Sequence, residues 1–209
     1  MANPSTGLGQ ALAAAEAGEF FGWFHLAPDP GAPVPPAPQA AWRFYRPSGA
    51  RFHAQTQLAA RVDREGRVIA AVLGVDRAFI DDASIRPFAR DLVRSFLVWA
   101  LPPAAAAGFA PRLDALGRFG DEERVIRSAS APAWSFKKLI RAADEDDFAA
   151  AFIGAVPRAA GAAGGVRIGL ETLAGPLPAD VSLPPSAPGR PPDAAAPAWL
   201  RVSVAGDEP

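Results

Sequence analysis

Between residues 51 and 75 apolar and polar positions alternate, then give way to a continuous apolar run. In "RFHAQTQLAARV", Phe52, Ala54, Thr56, Leu58, Ala60 and Val62 fall on one side of an extended chain, and Arg51, His53, Gln55, Gln57 and Arg61 on the other. That is the period of a half-buried antiparallel strand with one wet face. "DREG" then reads as a turn, with Gly66 free to take a positive φ. The return run "RVIAAVLGV" is apolar on both sides and is expected nearer the middle of a sheet.

The period then changes. In "PFARDLVRSFLVWA", Phe88, Ala89, Leu92, Val93, Phe96, Leu97 and Ala100 recur at helical spacing and make one apolar stripe. Pro87 suits the first helical position, Arg86 is pushed out of helical dihedrals by it, and Pro102 and Pro103 stop the helix. The expected fold is therefore α+β: an antiparallel sheet built on the 51–75 hairpin and packed by the 87–100 helix.

Shorter patterns fill in the rest. "GLGQALAAAEAGEFF" predicts a short helix, "FGWFHL" either its continuation or a short strand, and "WRFYR" a return to order. "EERVIRSASA" predicts a strand, whereas "AWSFKKLIRAA" offers Phe136, Leu139, Ile140 and Ala143 as a helical face. "DEDDFAAAFIGAV" predicts a helix with Phe148, Phe152, Ile153 and Val156 inward. "VRIGLETL" and "WLRVSV" predict strands. Closely spaced prolines make 27–41 and 174–198 extended connectors. They divide the chain into an N-terminal helix and aromatic segment (1–26), a main domain (42–173) and a terminal strand with tail (199–209).

Composition narrows the function. The formal net charge is −1 and Arg outnumbers Lys 19 to 2. With alanine at roughly a quarter of the chain, this is the bias of a GC-rich coding sequence rather than a phosphate-binding signature. Nucleic acid is not the expected partner. There is no cysteine, so disulfides, thiolate metal sites and cysteine nucleophiles are excluded. No apolar run suits a membrane span, and the first residues lack the basic region of a secretory signal, so a soluble cytoplasmic protein is expected.

The charged stretch "GVDRAFIDDASIRPFARD" concentrates candidate chemistry. Asp81 and Asp82 precede a helix start and suit the positive end of its dipole. Adjacent carboxylates also diverge, which does not suit a shared cation. Asp76, at a strand end, is the carboxylate that this helix start leaves unaccounted for. Arg86, Arg90 and Arg94 repeat at four-residue spacing and read as a solvated face partly neutralised by Asp91. "ADEDDF" reads as an N-cap at Asp144 with an acidic first turn. His25 and His53 are too far apart for a two-His metal motif, no Gly-x-Ser-x-Gly elbow is present, and the glycine-rich pieces do not run from strand into helix. No cofactor and no metal are expected.

Two groups of residues remain. Arg51, His53, Gln55 and Gln57 on the polar strand face, with Asp76, could line a small-molecule site with acid–base capacity. Phe20, Phe21, Trp23 and Phe24 are either core or a docking patch for another protein. The leading expectation is a non-catalytic accessory protein, a subunit or assembly partner in a larger complex, with self-association left open. The alternative is a small-molecule-binding protein or enzyme centred on His53 with an Asp from 76–82.

Overall fold

Two antiparallel meanders meet side by side in one sheet. The first is β1 (Leu26–Pro28), β2 (Ala41–Pro47), β3 (Thr56–Val62) and β4 (Val68–Asp76). A helical layer follows: α3 (Arg77–Asp81), α4 (Arg86–Ala100) and α5 (Pro103–Gly117), after the N-terminal α1 (Leu12–Glu16) and α2 (Glu19–Trp23). Next come the hairpin β5 (Asp121–Arg127) and β6 (Ser135–Arg141), then α6 (Asp147–Ile153). The second meander closes the chain with β7 (Arg158–Ala163), β8 (Val166–Leu173) and β9 (Trp199–Gly206). The computed structural model describes residues 8–29, 41–49, 52–117, 121–127, 135–141, 146–173 and 198–206, with β5 and β6 described by their backbone. Most of the two expected connectors, together with Arg51 and Asp144, lie outside the described residues.

The sheet order is β1-β2-β3-β4-β9-β8-β7, antiparallel throughout. This is the expected α+β class. One register row shows how the faces are set: Tyr45 opposite Leu58, then Leu73, Val202, Leu170 and Ala159, all buried. With the row through Ala60, Ala71, Val204 and Ile168 it forms the floor on which the helices lie. α4 presses Leu92, Val93, Phe96, Leu97, Trp99 and Ala100 onto this floor. Each large side chain so buried stabilises by about 1.5–3 kcal/mol relative to exposure. The other face carries a small cluster of Phe44, Ala59 and Val72 with Trp42 beside it.

β3 and β4 join through the expected turn: Gly66 has φ +75°, its N–H donates to the Asp63 carbonyl, and Arg67 N–H donates to Asp63 Oδ1 at 2.8 Å. Two parts of the strand reading need correction. Residues 52–55 form turns rather than the start of β3. The Phe52 ring stacks on Phe88 at 4.6 Å and meets Phe79 edge-on, which takes the chain out of the sheet. The supposed wet face is closed at its centre, with Gln57 and Ala59 buried.

α4 begins at Arg86, one residue ahead of the expected start, with Pro87 in its first turn. The two prolines end it as expected, but Pro103 also opens α5, a helix not anticipated, because a missing N–H costs nothing at a first helical position. The segment read as a helix over 135–141 is strand β6, paired in register from Asp121 with Arg141 to Arg127 with Ser135. A short amphipathic run carries both periods, and the β5 ladder decides between them. α6 is capped by Asp146 rather than Asp144: its carboxylate accepts from Phe148 and Ala149 N–H. Ile153 is its last residue and is exposed, and Val156 lies beyond it.

The N-terminal segment belongs to the same core. Leu8 N–H donates to Ala100 O and Leu12 N–H to Gly66 O, tying it to the end of α4 and to the β3–β4 turn. Phe20 stacks on Trp99 with centroids 5.3 Å apart, Phe21 meets Tyr45 edge-on at 5.0 Å, and Trp99 Nε1 donates to Ala15 O at 3.2 Å. Tyr45, almost fully buried, donates its hydroxyl to Glu16 Oε1 at 2.6 Å. Burial first, then the hydrogen bond and charge of Glu16, hold its phenol well above the ordinary value near 10.

The folded pKa exceeds the unfolded one, so this contribution to stability is complete below about pH 10 and declines as alkali ionises the unfolded phenol. The chain has one tyrosine. Tyrosinate absorbance is therefore expected to stay silent past pH 10 and to rise together with loss of helical circular dichroism. A smooth titration near pH 10 with the fold intact would refute the buried Tyr45–Glu16 bond.

Candidate functional site

The candidate acid–base residues sit around one end of β3 and β4, where the chain turns into α3. Asp76 closes β4, and its carboxylate accepts from Ala78 N–H at 2.9 Å, making it the N-cap of α3. The carboxylate unexplained by the α4 start thus has a structural role at a helix the sequence reading did not foresee. Asp82 accepts from both the hydroxyl and the N–H of Ser84, at 2.6 and 2.8 Å, and its carbonyl accepts from Arg86 N–H on entry to α4. Those Ser84 bonds, hydroxyl first, hold the exposed Asp82 carboxyl below its usual range.

His53 and Gln55 lie in the turns before β3 rather than on its face. The His53 ring places Nδ1 3.0 Å from Pro47 O, and Gln55 O accepts from Asp76 N–H at 2.9 Å. The backbone thus brings Gln55 and Asp76 together. Gln55 Oε1 and Thr56 Oγ1 are buried with no hydrogen-bond partner among the described residues. Of His53, Gln55 and Gln57, only Gln57 lies within β3, and it belongs to a set that sequence reading missed.

That set is centred on Arg46. Its Nε donates to Asp29 Oδ2 at 2.6 Å in a pair whose side chains are both about nine-tenths buried. Nη1 donates to His53 O at 3.3 Å. The network requires the Gln57 amide oxygen, not its nitrogen, to face Arg46, at 3.1 and 2.7 Å from Nη1 and Nη2. The guanidinium is therefore engaged on every nitrogen, as a buried cation must be. Further along the same face Arg201 pairs with Glu171 on the neighbouring strand. The signal available in sequence was the alternation in "WRFYR", which sets Arg46 beside Phe44 and Trp42.

Arg77, at the start of α3, is also buried. Nη1 donates to Phe152 O at 2.6 Å, in the last turn of α6, and Nη2 to Asp81 Oδ1 at 2.8 Å. A cation at a helix C-terminus is favourable to the exposed carbonyl dipoles there. The three arginines of the expected solvated face divide similarly. Arg86 donates to Ile80 O and Asp81 O, and Arg90 holds Asp91. Arg94 is exposed and, with Pro111, Asp114 and Gly117, lines an open groove of about 650 Å³ between α4 and α5.

The aromatic candidates separate by exposure. Phe20 and Phe21 are core, and Phe24 is half-buried against Phe20 and Phe88. Trp23 stands out with 66% of its surface exposed. Among the described residues no three His, Asp or Glu side chains stand together as a metal ion would require, and no helix is long and apolar enough to cross a membrane. No family model matches the chain, and neither a curated protein nor a solved structure matches it significantly.

Proposed function

We propose that this chain is a non-catalytic accessory protein that works by binding another protein, with Trp23 as an anchor of the contact. The observation that carries this reading is the exposure of Trp23 on a short helix whose other aromatics are buried. Phe20 and Phe21 fix α2 rigidly to α4 and the sheet, so Trp23 is presented on a firm base. Rigid aromatic side chains of this kind dominate binding energy at protein interfaces. The residues of the competing small-molecule reading lend it less support, since Asp76 bonds Ala78 N–H, Asp82 bonds Ser84, and His53 lies against Pro47 O at the end of β2.

The test is recovery of the tagged chain from its native host, followed by native mass measurement. Wild-type chain is expected to carry a second protein in fixed ratio. Trp23→Ala is expected to lose it, with affinity reduced roughly thirtyfold or more. Wild-type chain recovered with no other protein would overturn the proposal.

A further inference from the structure

The two outer strands of the sheet are not alike. β1 is three residues long and ends in Pro28, a short edge of the kind that resists further pairing. β7, "RAAGAA", is six residues long, and its register with β8 is unbroken from Arg158 to Ala163. It carries no proline and no bulge, and no charge after Arg158, so its own residues supply none of the devices that protect an edge.

The hydrogen-bond phase of β7 follows from one contact. Thr172 N–H donates to Pro157 O at 3.0 Å. In an antiparallel ladder this sets Ala159, Gly161 and Ala163 to bond with β8, and turns the N–H and C=O of Arg158, Ala160 and Ala162 away from it. Those three residues are exposed. Ala159 is buried on the helix-covered side, so Arg158, Ala160 and Ala162 project their side chains from the opposite face. After Arg158 the outward row carries only alanine side chains, too small to obstruct a neighbouring strand.

We infer that β7 pairs antiparallel with β7 of a second copy of this chain, extending the sheet across a two-fold axis at Ala160. The occupant is set by self-complementarity. An axis at Ala160 places Ala160 opposite itself and Arg158 opposite Ala162, so every outward N–H and C=O meets a partner. It also keeps the two Arg158 side chains from facing each other. An isologous contact of this sort closes on itself and stops at a dimer. The inference stands independently of the accessory-protein proposal, because it concerns only copies of this chain.

The test is analytical ultracentrifugation of the full chain. Wild type is expected to show a concentration-dependent monomer–dimer equilibrium. Ala160→Pro deletes an N–H that points outward and takes no part in the β7–β8 ladder, so it is expected to abolish dimerisation with unchanged circular dichroism. The register is tested separately by charge. Ala162→Glu sets a carboxylate opposite Arg158 of the second copy and beside its own Arg167, and is expected to tighten dimerisation roughly three- to tenfold. Ala162→Lys is expected to weaken it by a similar factor. A wild-type chain that is monomeric up to its solubility limit would overturn the inference. So would a dimer indifferent to both the Glu and Lys substitutions.

Discussion

Phe20→Ala is expected to lower the unfolding free energy by about 3–5 kcal/mol, the cost of deleting a buried aromatic ring. Trp23→Ala, on the same short helix, is expected to change it by less than about 0.5 kcal/mol. The contrast follows from position alone. Phe20 is 4% exposed, stacks on Trp99, and lies 6.1 Å from Phe96 and 5.4 Å from Phe24 between ring centroids. Removing it leaves a cavity that α2 and α4 can close only by moving, and Gly18 N–H to Ala15 O and Leu8 N–H to Ala100 O hold an end of each. Urea unfolding followed by circular dichroism measures both variants. A loss under about 1 kcal/mol for Phe20→Ala would mean that α1 and α2 detach before the rest unfolds, as locally unfolding segments do. The N-terminal segment would then be an appendage, not part of the core.

The second large effect is a coupling between Arg77 and Gly154. Gly154 ends α6 with φ +82°, and a Cβ added there would stand 2.7 Å from Arg77 Nη2. Gly154→Ala therefore meets two costs: about 1–2 kcal/mol for a left-handed alanine, and displacement of the guanidinium from Phe152 O. Arg77→Ala removes the buried donor at that carbonyl and is expected to cost about 1–3 kcal/mol. In the double variant the displaced group is already gone, so the combined loss is expected to fall short of the sum by about 1 kcal/mol. Strict additivity in a thermal or urea double-mutant cycle would show that Gly154 acts through its backbone conformation alone. The left-handed cap would then be independent of the buried cation.

The parts of the fold legible in sequence are those where one period runs uncontested. The α4 stripe from Phe88 to Ala100, the turn at Gly66, the apolar run of β4 and the alternation of Val166, Ile168 and Leu170 all have that quality. β7 was hidden because alanine and glycine carry no hydrophobic contrast, so neither period can register. α5 was hidden behind Pro103, a residue that both stops one helix and starts another. β6 was misread because Phe136, Leu139 and Ile140 satisfy a helical spacing over too short a run. At the candidate site, the charged stretch from Gly74 to Asp91 singled out Asp76 and Asp82. Their roles depended on α3, whose only local mark is the Asp-x-Ala start at Asp76. Arg46 and Asp29 were illegible for another reason: their pairing spans β1 and β2, and no local pattern in the sequence reports a partner across strands.

The strand order also sets how this protein must acquire its structure. β4 does not pair with the strand that follows it but with β9, in a ladder that joins Ala70 to Ala205. Each meander can form locally, yet the two become one sheet only when the last strand arrives between β4 and β8. Until then β4 and β8 both present open, apolar edges, and closing so long a loop is slow in proportion to the chain entropy it removes. A nascent chain would therefore carry the open border of β4 from residue 76 until β9 emerges at residue 199, joined late by a second open border on β8. That interval, rather than the finished fold, is where aggregation would compete and where a chaperone would have something to hold.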